Sequence, residues 1–249
     1  MGVFALTKFK LPVKQGKKPW RLVITSLLLV LVTAIAGCGD KEPAQRKAFI
    51  DFLQAQIITA QGTNLPALTQ DQKTAFGKYI KDYAVMRDFH QKMETELNSS
   101  LVPVFSSMNA LTSVNALLQQ RDELQKMADK SPRWLEETKL LQVQTDAQRE
   151  GLKQPEDLKK TYDQAYNKVV SQPSAAAEQI FTLLPEVLKN IVVKADFIKS
   201  QGKTVTISGN TLQFANQAQL DKYNAIQKKL LPLNAQLMAL SRELHRAAE

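Results

Sequence analysis

Apolar residues return every third or fourth position through most of this chain, the spacing of one face of an α-helix. Phe49, Phe52, Leu53, Ile57 and Ile58 make the first such stripe and predict a helix starting near Gln45, broken at Gly62–Pro66. Thr69-Gln70-Asp71-Gln72 has the form of a capping box, in which the hydroxyl and the Gln72 side chain each satisfy a backbone N–H at the helix start. The helix it opens carries Phe76, Ile80, Tyr83, Met86, Phe89, Met93 and Leu97. Residues 102–118 predict a further helix, with Pro103 in its first turn or at a kink, and the stripe continues through Leu124 and Met127 to about Lys130. Ser131-Pro132 then reads as a cap with proline at the first helical position, opening a polar helix to roughly Gln154. Pro155 and Pro173 restart the pattern, giving helices near 155–171 and 173–200, the second kinked at Pro185.

After Gly202 the period changes from helix to strand. Thr204-Val205-Thr206-Ile207, Gly209-Asn210 and Thr211-Leu212-Gln213-Phe214 predict a β-hairpin with Val205, Ile207, Leu212 and Phe214 on one face. Two strands alone are marginal, so the hairpin must lean on the helices, as a lid over the bundle end or as an edge open to a partner strand. Asn216 with Gln219 then caps a last helix carrying Leu220, Tyr223, Ile226, Leu230, Leu233, Leu237, Leu240 and Leu244, bent or divided at Pro232. The pattern as a whole predicts a mainly α fold, a bundle of about six to eight helices with one small hairpin near the C-terminal end.

One apolar stretch fits neither scheme. Leu22 to Ala36 is 15 residues without a charge, preceded by Lys17, Lys18 and Arg21. As a helix it spans roughly 22 Å, short of the ~30 Å hydrocarbon core, and has the form of an export signal. Its end, Ile35-Ala36-Gly37-Cys38, resembles a bacterial lipobox, with Ile35, Ala36 and Gly37 before the cut and Cys38 as the acylated residue. Cys38 is the chain's only cysteine, so acylation accounts for an otherwise odd thiol and leaves none for a disulfide. The expected organisation is therefore a signal peptide over 1–37, a lipidated tether over 38–45 and a helical domain over 46–249. Gly39 and Asp40 occupy the positions that sort such proteins between membranes. Gly39 favours the outer membrane slightly over the inner, while the Asp40 carboxylate resembles the retention signal.

The charge picture changes once the leader is removed. Six of the 33 basic residues and none of the 24 acidic ones lie in residues 1–37, so the mature chain carries 27 against 24, a net of +3 in place of +9. Nucleic-acid binding thereby loses its main support, and no nucleic acid is expected as a partner. The run from Ile180 to Ile198 is very apolar, yet Glu186, Lys189, Lys194 and Asp196 interrupt it, which argues for a core helix against a second membrane span.

Candidate chemistry is sparse. The chain has no G-x-S-x-G elbow, P-loop, H-E-x-x-H, C-x-x-C or Gly-rich dinucleotide turn, so no catalytic residue and no cofactor are expected. His90 would need partner ligands, and the other histidine, His245, lies near the far end; no metal is expected. Asp88, Glu94 and Glu96 sit among charged neighbours in sequence, a setting that predicts ordinary acidities.

GDKEPAQRKAFIDFLQ (39–54), LPALTQDQKTAFG (65–77), KDYA (81–84) and LKQPEDLKKTYDQAYNKVV (152–170), with the hairpin region, make the chain similar to the YiaF-like family of uncharacterised Gram-negative bacterial lipoproteins. The resemblance covers nearly all of the mature chain and implies the lipidated Cys38, without catalytic residues to carry over. The expectation is a lipid-anchored protein of the cell envelope facing the periplasm. It binds or scaffolds an envelope protein through the hairpin or a polar helical face, or else carries a hydrophobic ligand in a gap between helices, or is an envelope enzyme with a site not visible in sequence.

Overall fold

The most apolar of the described helices becomes the centre of the molecule. In the computed structural model, which describes residues 40–248, it is α6 (Gln172–Gln201), flanked on one side by α4 (Val114–Glu150) and on the other by α7 (Gln217–Ala248). Ile180, Phe181, Leu184, Val187, Leu188, Ile191, Ala195 and Ile198 recur at helical spacing and are all buried. Behind α4 lies α3 (Ile80–Asn109), and α1 (Glu42–Phe52), α2 (Gln70–Phe76) and α5 (Glu156–Tyr166) close the end where the domain begins. Strands β1 (Val205–Ser208) and β2 (Thr211–Phe214) form one antiparallel hairpin between α6 and α7. The mainly α bundle with a single hairpin is what the periodicity predicts, with seven α-helices among the described residues. No helix of the described residues is long and apolar enough to cross a membrane.

Several boundaries move, and proline explains most of them. α3 runs unbroken through Pro103, so the helix expected over 102–118 is instead the end of α3 and the start of α4. The real break is at residues 110–113, where Ser113 Oγ accepts from Ala116 N at 3.1 Å and caps α4. Ser131-Pro132 is not a helix start: α4 passes straight through it, and the buried Ser131 hydroxyl donates back to Ala128 O at 2.8 Å. Pro103, Pro132 and Pro232 all lie exposed on their helices, so the ring and the missing N–H face solvent while the apolar face stays packed. Pro173 falls in the first turn of α6, where its absent N–H costs no intrahelical bond.

Two helices widen into π-turns, at Leu53–Ile58 after α1 and at Asn167–Ser171 between α5 and α6. The carbonyls freed at the first are met from the second: Lys168 Nζ donates to Ile57 O at 2.8 Å, to Ile58 O at 3.2 Å and to Ala60 O. A cation thus closes a helix C-terminus, where the dipole favours it.

The first helix begins at Glu42, three residues before the expected Gln45. Pro43 stands in its first turn, Glu42 supplies the acidic residue there, and Asp40 Oδ1 accepts from Glu42 N at 3.0 Å. Helix α1 thus occupies residues 42–45 of the segment expected as a tether. The leader 1–37, with Ile35, Ala36 and Gly37, and the following Cys38 and Gly39 lie outside the described residues.

Candidate functional site

The hairpin is held by its apolar face. Val205 pairs with Phe214 and Ile207 with Leu212, and these four are half-buried while Thr206, Ser208, Thr211 and Gln213 on the other face are exposed. Gly209 takes φ +57° in the two-residue turn, a conformation that glycine adopts without steric cost. At the open end, Gln219 on α7 accepts from Ala215 N at 3.0 Å and donates to Thr204 Oγ1 at 2.9 Å. Asn216 Oδ1 accepts from Gln219 N at 3.0 Å, so the expected cap is present and also fixes the glutamine that ties down the hairpin.

Beneath the strands lies an aromatic seam. The Phe214 ring sits 6.0 Å from Phe197 on α6 and 5.3 Å from Tyr223 on α7, centroid to centroid. Cations cap both partners: Lys222 Nζ lies 5.7 Å from the Phe197 ring and Lys194 Nζ 5.5 Å from the Tyr223 ring.

Next to this seam, where the α3–α4 junction meets α6, α7 and the hairpin turn, is a cavity of about 220 Å³. Its walls are mainly apolar, from Met108, Leu111, Leu117, Ile191 and Leu230, and Asn210 of the hairpin turn reaches its rim. Lys194 and Asn234 bring polar atoms to it. Burial holds the Lys194 ammonium below the usual lysine range, with no carboxylate to offset it. Asn234 Oδ1 is buried and has no hydrogen-bond partner among the described residues.

Other titratable clusters are tied into structure. Asp82 on α3 is 7% exposed, accepts from Gln154 Nε2 at 2.6 Å, and lends its backbone carbonyl to the Tyr162 hydroxyl at 2.8 Å. Burial raises its pKa, and the Gln154 bond opposes that only in part. Tyr166 donates to Asp146 at 2.9 Å with the Arg149 guanidinium 4.5 Å from its ring. These bonds join α3, α4 and α5. Glu94 and Glu96 depart from the ordinary acidity expected of them: burial raises both, and Glu137 beside Glu96 raises it further while Arg133 pulls the other way. The sequence shows the charged neighbours of these residues, but not that the helix turns them partly inward. His90 is half-buried and its imidazole is held below the usual range by desolvation. No group of three or more His, Cys, Asp or Glu placed to hold a metal occurs among the described residues.

The sequence reading passed over Lys194, Tyr223 and Asn234 as site residues. A signal for the first was present. Val187, Ile191, Lys194 and Ile198 follow one helical stripe, so a lysine occupies a core-facing position of α6. Nothing marks Asn234 in the sequence, because its buried oxygen results from how α7 crosses α6.

The family model described as "Protein of unknown function (DUF3053)" matches residues 26–248 of the chain. The chain is similar to a protein of Escherichia coli (strain K12) named "Uncharacterized protein YiaF", with 35% identity over 226 residues covering 91% of this chain and 94% of that protein. A protein of Shigella flexneri with the same name matches with the same identity and coverage. No solved structure matches the chain.

Proposed function

We propose that this chain, which belongs to the DUF3053 family, is a bacterial envelope lipoprotein that is anchored through acylated Cys38, faces the periplasm and works by binding rather than catalysis. The observation that carries this reading is where folded structure begins. Asp40 Oδ1 already accepts from Glu42 N, the first residue of α1, so Gly39 alone separates Cys38 from the first residue bonded to the helix. One residue spans at most about 3.6 Å, so the domain is seated against the headgroups with little reach. Two or three acyl chains at ~0.8 kcal/mol per buried CH₂ hold it there stably.

A binding role is supported by the way the buried polar clusters join helices, with no nucleophile–base pair at a cleft among the described residues. The partner surface is the outer edge and exposed face of the hairpin. No third strand pairs with β1 or β2 among the described residues, and the partner on this reading is an envelope protein. Outer-membrane placement follows from Gly39. The Asp40 carboxylate, engaged on Glu42 N, is less available to imitate a retention signal.

Sucrose-gradient separation of the two membranes, with the protein at native level, tests the placement. Recovery with the outer membrane is expected, and recovery wholly with the inner membrane overturns it. Photo-crosslinkers at Thr206 and Gln213 are expected to capture one protein repeatedly, whereas crosslinkers on the opposite end at Lys73 are not. Equal capture from both ends rules out the hairpin as the partner surface.

A further inference from the structure

We propose that the cavity between the α3–α4 junction, α6 and α7 is a binding site for a small amphipathic carboxylate, a short to medium apolar chain with an acid head. This goes beyond the anchoring and partner reading and does not depend on it.

Two features converge there. The walls from Met108, Leu111, Leu117, Ile191 and Leu230 are mainly apolar and suit a hydrocarbon chain. The volume of about 220 Å³ is that of roughly seven liquid waters, which sets the ligand at a chain of modest length and excludes a whole phospholipid. The second feature is charge. Lys194 projects from a core-facing position of α6, and its described partner is the Tyr223 ring at 5.5 Å. Among the described residues no carboxylate makes an ion pair with it, although Asp196 lies two residues on in the same helix. Asp196 is turned outward and held by Arg121 in a two-pronged pair at 2.7 and 2.8 Å. A cation over an aromatic face, in a partly desolvated wall and without a counter-ion, is the arrangement that recognises an anion.

A medium-chain fatty acid supplies both partners at once, its carboxylate to Lys194 and its chain to the apolar walls. The hairpin contributes the rim through Asn210, which places this opening beside the surface assigned above to a protein partner.

The test is calorimetric titration of the full chain in lipid nanodiscs with octanoate, 1-octanol and octylamine. If the chain proves unacylated and is recovered without a membrane, the same titration applies, so failure of the anchor and failure of this site are separately visible. Octanoate is expected to bind best, and the neutral and cationic analogues about thirty-fold more weakly or not at all. Lys194→Met is expected to lose about thirty-fold for the acid while binding of 1-octanol is unchanged. Leu111→Trp, which fills the cavity from its half-buried mouth without touching the charge, is expected to abolish binding of every analogue. Absence of octanoate binding overturns the proposal, as does equal binding of octylamine. Full binding by the Leu111→Trp chain places the ligand elsewhere and overturns it too, even where Lys194→Met fails to fold.

Discussion

Two regions of this bundle are built differently. Around α1, α2 and α5 the core is aromatic and saturated: Phe49 packs on Phe76 and Tyr79 at 5.3 and 5.9 Å, and Phe52 on Phe76 and Tyr83 at 5.0 and 5.3 Å. Every deep tyrosine there has a partner for its hydroxyl, Tyr79 on Glu42, Tyr83 on Pro66 O, Tyr162 on Asp82 O and Tyr166 on Asp146. Along α7 the seam is narrow and aliphatic. Leu230, Leu237 and Leu244 are buried seven residues apart, the repeat of a coiled-coil stripe, while Leu231 beside them is 65% exposed. Clefts of about 520 and 450 Å³ open between α6 and α7. The buried side-chain oxygens without a partner, on Asn109, Thr138, Gln142, Ser174 and Asn234, belong to α3, α4, α6 and α7, and none to α1, α2 or α5. The lesson is a division of labour: a saturated aromatic core around α1, α2 and α5, and a looser seam along α7 whose clefts reach down to Thr63 and Pro173.

The largest effect should appear in the aromatic core. Phe49→Ala removes a fully buried ring from the aromatic cluster and is expected to cost about 3–5 kcal/mol in urea unfolding. Leu237→Ala, equally buried but beside existing clefts, is expected near the low end for such a change, about 2 kcal/mol, because its surroundings can collapse inward. A reversed order would break the comparison.

Next comes Lys168→Met. It leaves the carbonyls of Ile57, Ile58 and Ala60 unmet by charge and is expected to lose about 1.5–3 kcal/mol, with faster hydrogen exchange confined to residues 53–60. Unchanged exchange there would mean that water replaces the ammonium without loss.

A pH effect sharpens the same contrast. Burial raises the Asp82 pKa, so the folded state holds this proton more tightly than the unfolded chain. That contribution is complete below the ordinary aspartate value of about 3.9 and is lost as pH rises through the raised one. Asp82→Asn is therefore expected to flatten the fall in stability above about pH 4, measured as unfolding midpoint against pH. An unaltered slope would assign the fall to another group, Glu96 first.

The smallest change is at the hairpin turn. Gly209→Ala forces an L side chain into φ +57° where nothing crowds it, and should cost about 1 kcal/mol. The cost should appear as faster exchange in β1 and β2 with α1 untouched.

The helical pattern, the Thr69–Gln72 box and the Asn216 cap were legible because each is a local signal: the Gln72 and Thr69 bonds form at 3.1 and 2.9 Å as their spacing predicts. The hairpin was legible for the same reason, from its period and its Gly-Asn turn. Prolines misled where tertiary packing decides. Pro132 breaks an isolated helix, yet α4 is held on both sides of it by Leu124, Met127 and Ala128 before and Trp134, Leu135 and Thr138 after. The cavity was not legible, since Met108, Lys194 and Asn234 come from three helices whose crossing no periodicity encodes. Asp82 escaped notice in the same way, its partners Gln154 and Tyr162 lying 72 and 80 residues away.

The central claim is that a closed domain stands directly on an acylated Cys38. Mass spectrometry of the N-terminal peptide of the mature protein tests it most directly. The expected peptide begins at Cys38, carries a diacylglyceryl group on sulfur with an acyl chain on the new amine, and disappears in Cys38→Ser with accumulation of the precursor. A mature protein that retains residues 1–37, or that begins at an unmodified Cys38, would contradict it.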